Sequence, residues 1–166
     1  MEEEIPVAEK KGQRQLVLFQ VAGETYGLDI YQVREIIRVP EITRVPRTPP
    51  YLLGVINLRG GVIPVLDLRR RFHLPDRERH EDQRIIVTEQ HGTIVGMIVD
   101  GVSEVLTLQE SQIEPPSPYI VSVDTRFIAG IGNLEDRLIV LLDLEEVLSK
   151  EEAAGLAAAA AETETA

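Results

Sequence analysis

The sequence GVINLRGGVIPVLDL (residues 54–68) returns without a gap as GIGNLEDRLIVLLDL (residues 130–144). The two stretches lie 76 residues apart (130 minus 54), and seven of their fifteen positions are identical. Self-similarity at a fixed offset indicates that one chain contains two modules of similar structure. The chain is therefore predicted to be an internal duplication.

A weaker repeat lies upstream of these stretches at an offset of 69 residues (102 minus 33). It pairs Val33 with Val102, Glu35 with Glu104 and Ile36 with Val105. The repeats differ at the turn within the longer stretch, where Arg59-Gly60-Gly61 faces Glu135-Asp136-Arg137. Two interpretations are open: a different turn type, or a cationic tip with little side-chain cover that contacts a partner.

Short segments rich in Val, Ile and Leu alternate with Gly, Pro and Asp, a pattern typical of an all-β protein. Asp67 is expected to cap a short helix after its strand. A single helical turn is expected over residues 31–37. Strands are predicted at residues 16–21, 26–30, 53–58, 62–67, 84–89, 94–99, 128–134 and 137–142, with further short strands near 39–44 and 105–108.

The termini differ in composition from the rest of the chain. Residues 1–13 are charged and aperiodic, and predict a poorly ordered tail. Residues 151–166 are rich in Ala and Glu, which favours a C-terminal helix followed by a tail. The domain between them, 14–150, is expected to hold two subdomains, interleaved or sequential, at approximately 14–83 and 84–150.

Charge and composition argue against several classes of function. The chain has 28 acidic and 17 basic residues, and this net charge of -11 opposes binding to nucleic acid. Cysteine is absent, and no apolar run approaches the ~18 residues of a membrane span. We expect a cytoplasmic protein that neither binds nucleic acid nor inserts into a membrane.

Candidate catalytic groups are few. The serines occur outside any G-x-S-x-G motif, and the three histidines lack the spacing of a zinc helix. We expect no enzymatic activity, no metal and no cofactor. The basic run Arg69-Arg70-Arg71 is interpreted as a solvated face, with contact to an acidic partner as the alternative.

Three motifs resemble the CheW family of chemotaxis coupling proteins. They are YGLDIYQVREI from Tyr26, GVINLRG from Gly54 and VGMIVDGVSEVL from Val95. The resemblance covers roughly residues 15–148. It implies two SH3-like five-stranded β-barrels around a shared hydrophobic core, with short helices. It also implies an adaptor that joins chemoreceptor cytoplasmic tips to the regulatory domain of the histidine kinase CheA, and is recruited through them to membrane-associated arrays.

The resemblance also implies a set of receptor- and kinase-binding residues. They are Val33, Glu35, Ile36, Gly54, Arg59, Gly60, Val102, Val105 and, more loosely, Tyr119. Val33, Val102 and Val105 would line an apolar groove between the modules, although ordinary core packing is the alternative. We further hypothesise that Arg59 pairs with Glu35 at the groove edge.

Two other functions remain open from sequence alone. The same module could serve another CheA-like pathway, such as one controlling surface motility. A small β-barrel enzyme or ligand-binding domain is the remaining alternative. A nucleophile with an adjacent base would favour the enzyme, and none was found in the sequence.

Overall fold

Eleven strands form two sheets in the computed structural model, which describes residues 12–117 and 123–165. The strands are β1 (Gln13–Val21), β2 (Glu24–Asp29), β3 (Val33–Arg38), β4 (Leu52–Leu58), β5 (Gly61–Asp67), β6 (Arg84–Gln90), β7 (Thr93–Val99), β8 (Gly101–Gln109), β9 (Ile113–Glu114), β10 (Ile128–Asn133) and β11 (Leu138–Leu142). The helices are α1 (Leu68–Arg71), α2 (Leu144–Val147) and α3 (Lys150–Thr165), and short 3-10 turns precede β3, β9 and β10.

The strands are exchanged between the two sequence repeats. One sheet has the order β3-β6-β7-β5-β4, and the other has the order β8-β1-β2-β11-β10-β9. The first two strands of each repeat thus complete the sheet of the other repeat. The predicted boundary near residues 83 and 84 separates the repeats but not the sheets, so the barrels are interleaved in sequence.

Equivalent parallel pairings connect the exchanged strands. In the five-stranded sheet β5 pairs with β7 in parallel, and in the six-stranded sheet β11 pairs with β2 in the same way. The fold is two SH3-like barrels, as expected. The second barrel contains one strand more than the five expected, because the two residues of β9 pair with β10.

Alternation along the strands divides the apolar side chains among three cores. Leu16 and Leu18 of β1 point into the six-stranded barrel, whereas Phe19 packs in a core shared by both barrels. Ile85 lies inside the five-stranded barrel, and its neighbour Ile86 lies in the shared core. Because successive strand residues face opposite sides, one strand contributes side chains to the core of its own barrel and to the shared core. The shared core agrees with the prediction.

Both short helices begin at a capping aspartate. Asp67 accepts a hydrogen bond from the Arg69 N–H at 2.9 Å, as predicted, and Asp143 accepts one from the Glu145 N–H at 3.0 Å. The sequence identity at this position therefore reflects helix capping. The predicted C-terminal helix is α3, which packs against β4, β5 and β7.

Two local expectations were wrong, and a third is tested only at its last two residues. Only Ile30–Gln32 forms a helical turn, and Val33–Arg38 is strand β3. Residues 39–44 contribute an isolated bridge, Thr43 to Val55, instead of a strand. The predicted tail at residues 1–13 lies outside the described residues up to position 11, and Gln13 already belongs to β1.

Candidate functional site

The tip of the β4–β5 hairpin holds an arginine in an unusual backbone conformation. Arg59 has a φ of 52° and Gly60 a φ of 84°, so both central residues of the turn are left-handed. This is the signature of a type I′ turn, which matches the twist of the flanking strands. The Gly60 N–H donates a 3.2 Å hydrogen bond to Asn57 Oδ1. The Glu135-Asp136 tip lacks positive φ values, so the two hairpins use different turns.

Arg59 binds Glu35 through both terminal nitrogens of its guanidinium group. Its Nη2 donates to Glu35 Oε1 at 2.6 Å, and its Nη1 donates to Oε2. The hypothesised pair is therefore confirmed. Glu35 lies on β3 and Arg59 on the β4–β5 hairpin, at opposite ends of the sheet order. The pair thus joins the two ends of the first barrel.

The ion pair favours the charged form of both side chains. Hydrogen bonding from Arg59 lowers the pKa of Glu35, and the same bond raises the pKa of Arg59. The side chain of Arg59 is 71% exposed, so it remains available to a partner while it holds Glu35. Solvent screening makes the contribution of such a pair to stability small.

The second barrel contains an equivalent pair that sequence reasoning missed. Arg137 Nη1 donates to Glu104 Oε2 at 3.0 Å. Glu104 is the repeat equivalent of Glu35, but Arg137 corresponds to Gly61 (137 minus 76) and not to Arg59. The arginine has moved two positions along the hairpin while the ion pair is retained. The repeat alignment, which placed Glu135 opposite Arg59, concealed this.

An exposed apolar residue follows each acid in the sequence and points to the opposite face of the same edge strand. Ile36 is 39% exposed on β3, and its repeat equivalent Val105 is 49% exposed on β8. Agreement between repeats here does not mark core residues, because both side chains face solvent. We call the residues Glu35, Ile36 and Arg59 the first edge patch, and Glu104, Val105 and Arg137 the second edge patch.

The remaining predicted site residues are not part of the exposed edge patches as the structure describes them. Val33 and Val102 are half-buried and pack against the shared core, which fills the space between the barrels. Gly54 is buried, and a Cβ at this position would lie 2.4 Å from the Thr43 carbonyl oxygen. Its lack of a side chain therefore allows the Thr43–Val55 bridge to form. Tyr119 lies outside the described residues.

The basic run at residues 69–71 is not a solvated face. Arg69 binds Asp100 with Nε to Oδ1 at 3.0 Å and Nη2 to Oδ2 at 2.7 Å. Arg71 donates to the Val147 carbonyl at 2.6 Å and to Glu152 at 2.8 Å. These arginines connect α1 to the chain crossing between the barrels and to α3.

No group of three or more possible metal-ligating side chains occurs within residues 12–117 and 123–165. In the same part of the chain, no helix has the length and apolar character needed to cross a membrane.

Comparison with known proteins gives a consistent result. The family model for the CheW-like domain matches residues 15–152. The chain is 42% identical to the chemotaxis protein CheW of Bacillus subtilis over 145 residues, covering 87% of this chain and 92% of the relative. It is 39% identical to CheW of Klebsiella aerogenes over 141 residues, covering 85% of each chain.

A crystal structure supports the same assignment. The scaffolding protein TtCheW from Thermoanaerobacter tengcongensis superposes with a TM-score of 0.77 at 40% identity, covering 87% of this chain and 94% of that one. Fold and sequence thus agree over the two barrels that carry the edge patches. The chain belongs to the CheW family of chemotaxis scaffold proteins.

Proposed function

We propose that this protein is a non-enzymatic adaptor that couples the cytoplasmic tips of chemoreceptors to the histidine kinase CheA. The observation that carries the proposal is the presence of two equivalent edge patches, one on each barrel, in a chain of the CheW family. An adaptor needs two contact surfaces at a fixed separation. The shared core and the Arg69–Asp100 pair hold the barrels together and so fix that separation.

The chemistry of the patches suits protein recognition. Receptor tips of this kind are helical, and an apolar stripe on a helix can pack on exposed Ile36 or Val105. The ion pairs lie on the opposite face of the same edge strands, where their exposed charges can orient a partner that covers the strand edge. Specificity then comes from the positions of charges around a small apolar centre.

The Arg59–Glu35 pair makes the first edge patch unsuited to acid–base catalysis. A general base works best with a pKa near the ambient pH. Arg59 moves the pKa of Glu35 in the opposite direction, below its ordinary value. Glu35 is therefore better suited to recognition through its charge than to proton transfer near neutral pH. Recruitment to membrane-associated arrays would follow from binding to the receptors.

Co-sedimentation with purified CheA and a receptor cytoplasmic fragment tests the proposal. We expect the wild-type chain to sediment with each partner and to increase the amount of CheA that sediments with receptor. Ile36→Asp and Val105→Asp should each reduce this recruitment at least fivefold. Asp76→Lys is the matched control, because Asp76 is an exposed acid that pairs with Arg70 outside both patches. Failure of the wild-type chain to bind either partner would refute the adaptor function.

A further inference from the structure

A cleft of about 830 Å³ lies between the proline-rich loop at residues 45–51 and α3, outside both edge patches. Val45 and Tyr51 line it from the loop side, and Leu156 and Ala159 line it from the helix side. Leu156 is fully buried and Tyr51 is half-buried, so the cleft has an apolar floor fixed to the shared core. Its volume is in the range of cavities that bind ligands.

The cleft lies at the opposite end of β4 from the first edge patch. Tyr51 immediately precedes β4, and Arg59 follows its last residue. At 3.3 Å per residue, the eight residue steps from Tyr51 to Arg59 span roughly 26 Å. A partner in the cleft therefore leaves Arg59 and Glu35 accessible.

The helix wall of the cleft is open and acidic. Glu151, Gly155, Ala158 and Glu162 all line it, at the i, i+4, i+7 and i+11 spacing of one helix face. The two glutamates are exposed and stand roughly 16 Å apart, at 1.5 Å per residue. The net charge of the chain is -11, which adds to attraction for a basic partner.

Gly155 gives a separate reason to expect an occupant. A Cβ built at this position meets no heavy atom within 4 Å, so nothing inside the chain requires glycine there. Glycine in the middle of a helix is less stable than alanine. Its presence at the cleft wall allows the backbone of a partner to approach α3 closely.

We infer that this cleft binds a linear segment of a partner protein, with aliphatic side chains on the floor and a basic residue near each glutamate. Because side chains alternate along an extended segment, two basic residues on one face are an even number of positions apart. Six residue steps span roughly 20 Å, enough for both lysine side chains to reach glutamates about 16 Å apart, so the basic residues should be six positions apart. Arg47, exposed on the loop wall, donates hydrogen bonds to the backbone carbonyls of the segment. This site is an additional contact beyond the coupling of receptor and kinase.

The test uses the full chain and three capped heptapeptides. The probe is Lys-Ala-Leu-Ala-Leu-Ala-Lys, and the controls are Lys-Gly-Ser-Gly-Ser-Gly-Lys and Glu-Ala-Leu-Ala-Leu-Ala-Glu. Amide chemical shifts of Gly155 and Ala158 report binding. We expect saturable shifts with the probe, at an affinity at least fivefold above that of either control. Equal responses to all three peptides, no response, or a response centred on β3 and the Arg59 hairpin would overturn the inference.

Two substitutions on α3 separate the cleft from the rest of the helix. Ala158→Leu fills the cleft, whereas Ala154→Leu adds the same bulk at an exposed position outside its lining. Both variants keep a strong helix former, and circular dichroism checks folding. We expect Ala158→Leu to lower the affinity for the probe at least tenfold. Ala154→Leu should change this affinity less than twofold. Equal binding by the Ala158→Leu variant would contradict the proposed position.

Discussion

Arg69 and Asp100 form a two-pronged ion pair at the point where the chain crosses from β7 of one barrel to β8 of the other. Asp100 also accepts a 2.7 Å hydrogen bond from the Ala22 N–H, and its own N–H donates to the Gln20 carbonyl at 2.8 Å. The Asp100 carboxylate thus connects α1 and the β1–β2 turn to the segment of chain between β7 and β8. The pair holds the two barrels in register.

Removal of the Arg69 guanidinium should lower the free energy of unfolding of the whole chain. Arg69→Met leaves the Asp100 carboxylate, which is only 9% exposed, without its main partner. Loss of one member of such a pair costs about 3 kcal/mol in the free energy of unfolding. Urea unfolding followed by circular dichroism measures this change. Arg70→Ala, at the more exposed neighbour, should cost less than about 1 kcal/mol, and an equal loss in both variants would show that the Asp100 pair has no special role.

The same pair predicts a pH dependence. Burial favours a raised pKa for Asp100, but hydrogen bonds from Arg69 and Ala22, together with the charges of Arg69 and Arg77, lower it below its ordinary value. The folded state therefore takes up this proton less readily than the unfolded state, and the stabilisation is complete above the unfolded pKa. As the pH falls through the folded pKa, the stabilisation is lost. The difference in unfolding free energy between wild type and Asp100→Asn should be largest near pH 7 and shrink below about pH 4, and a difference independent of pH would contradict the assignment.

The sequence predicted the two modules, the strand-rich fold and the Arg59–Glu35 pair, and it left open whether the barrels are interleaved or sequential. Similarity between repeats shows that two units share a structure, and it does not show which strands pair. β3 was misread because the burial of its residues alternates but their polarity does not: the half-buried Glu35 is acidic and the exposed Ile36 is apolar. With Ile36 exposed and Ile37 half-buried, the apolar spacing resembled one helical turn. The Arg137–Glu104 pair depends on tertiary contacts across the barrel, which no local pattern encodes.

Loss of the first edge pair should affect binding more than folding. Arg59→Ala and Glu35→Lys remove an exposed ion pair, so the Tm should change by no more than about 2 °C. Receptor or kinase binding should fall about tenfold, because arginine is enriched among the few residues that dominate interface energies and Glu35→Lys reverses a charge that orients the partner. Calorimetry and co-sedimentation measure the two effects. A fall in Tm that parallels the loss of binding would identify Glu35 as a structural residue.

The second barrel suggests how to test the effect of the ion pair separately from the effect of an arginine at the tip of the turn. In the double variant Arg59→Gly/Gly61→Arg, the arginine moves to the position that Arg137 occupies in the other repeat. A Cβ at Gly61 would lie 3.6 Å from the Leu58 carbonyl oxygen, an ordinary contact. We expect Glu35 to keep a guanidinium partner and the Tm to stay within about 2 °C of wild type. Partner binding should still fall at least threefold, because the exposed cation has left the tip; unchanged binding would mean that the pair suffices wherever the arginine stands.

Two glycines with different surroundings provide opposite expectations for the same substitution. Gly155 lies inside α3 with open space around its Cβ position, so Gly155→Ala should raise the free energy of unfolding by about 0.5–1 kcal/mol. Gly60 also has open space, but its φ of 84° is unfavourable for a residue with a Cβ, so Gly60→Ala should lower stability by about 1–2 kcal/mol. Thermal unfolding of the two variants distinguishes backbone conformation from space. If Gly155→Ala stabilises α3 and also weakens the cleft-binding peptide, the glycine is retained for contact with a partner; a stabilised helix with unchanged peptide affinity would contradict that role.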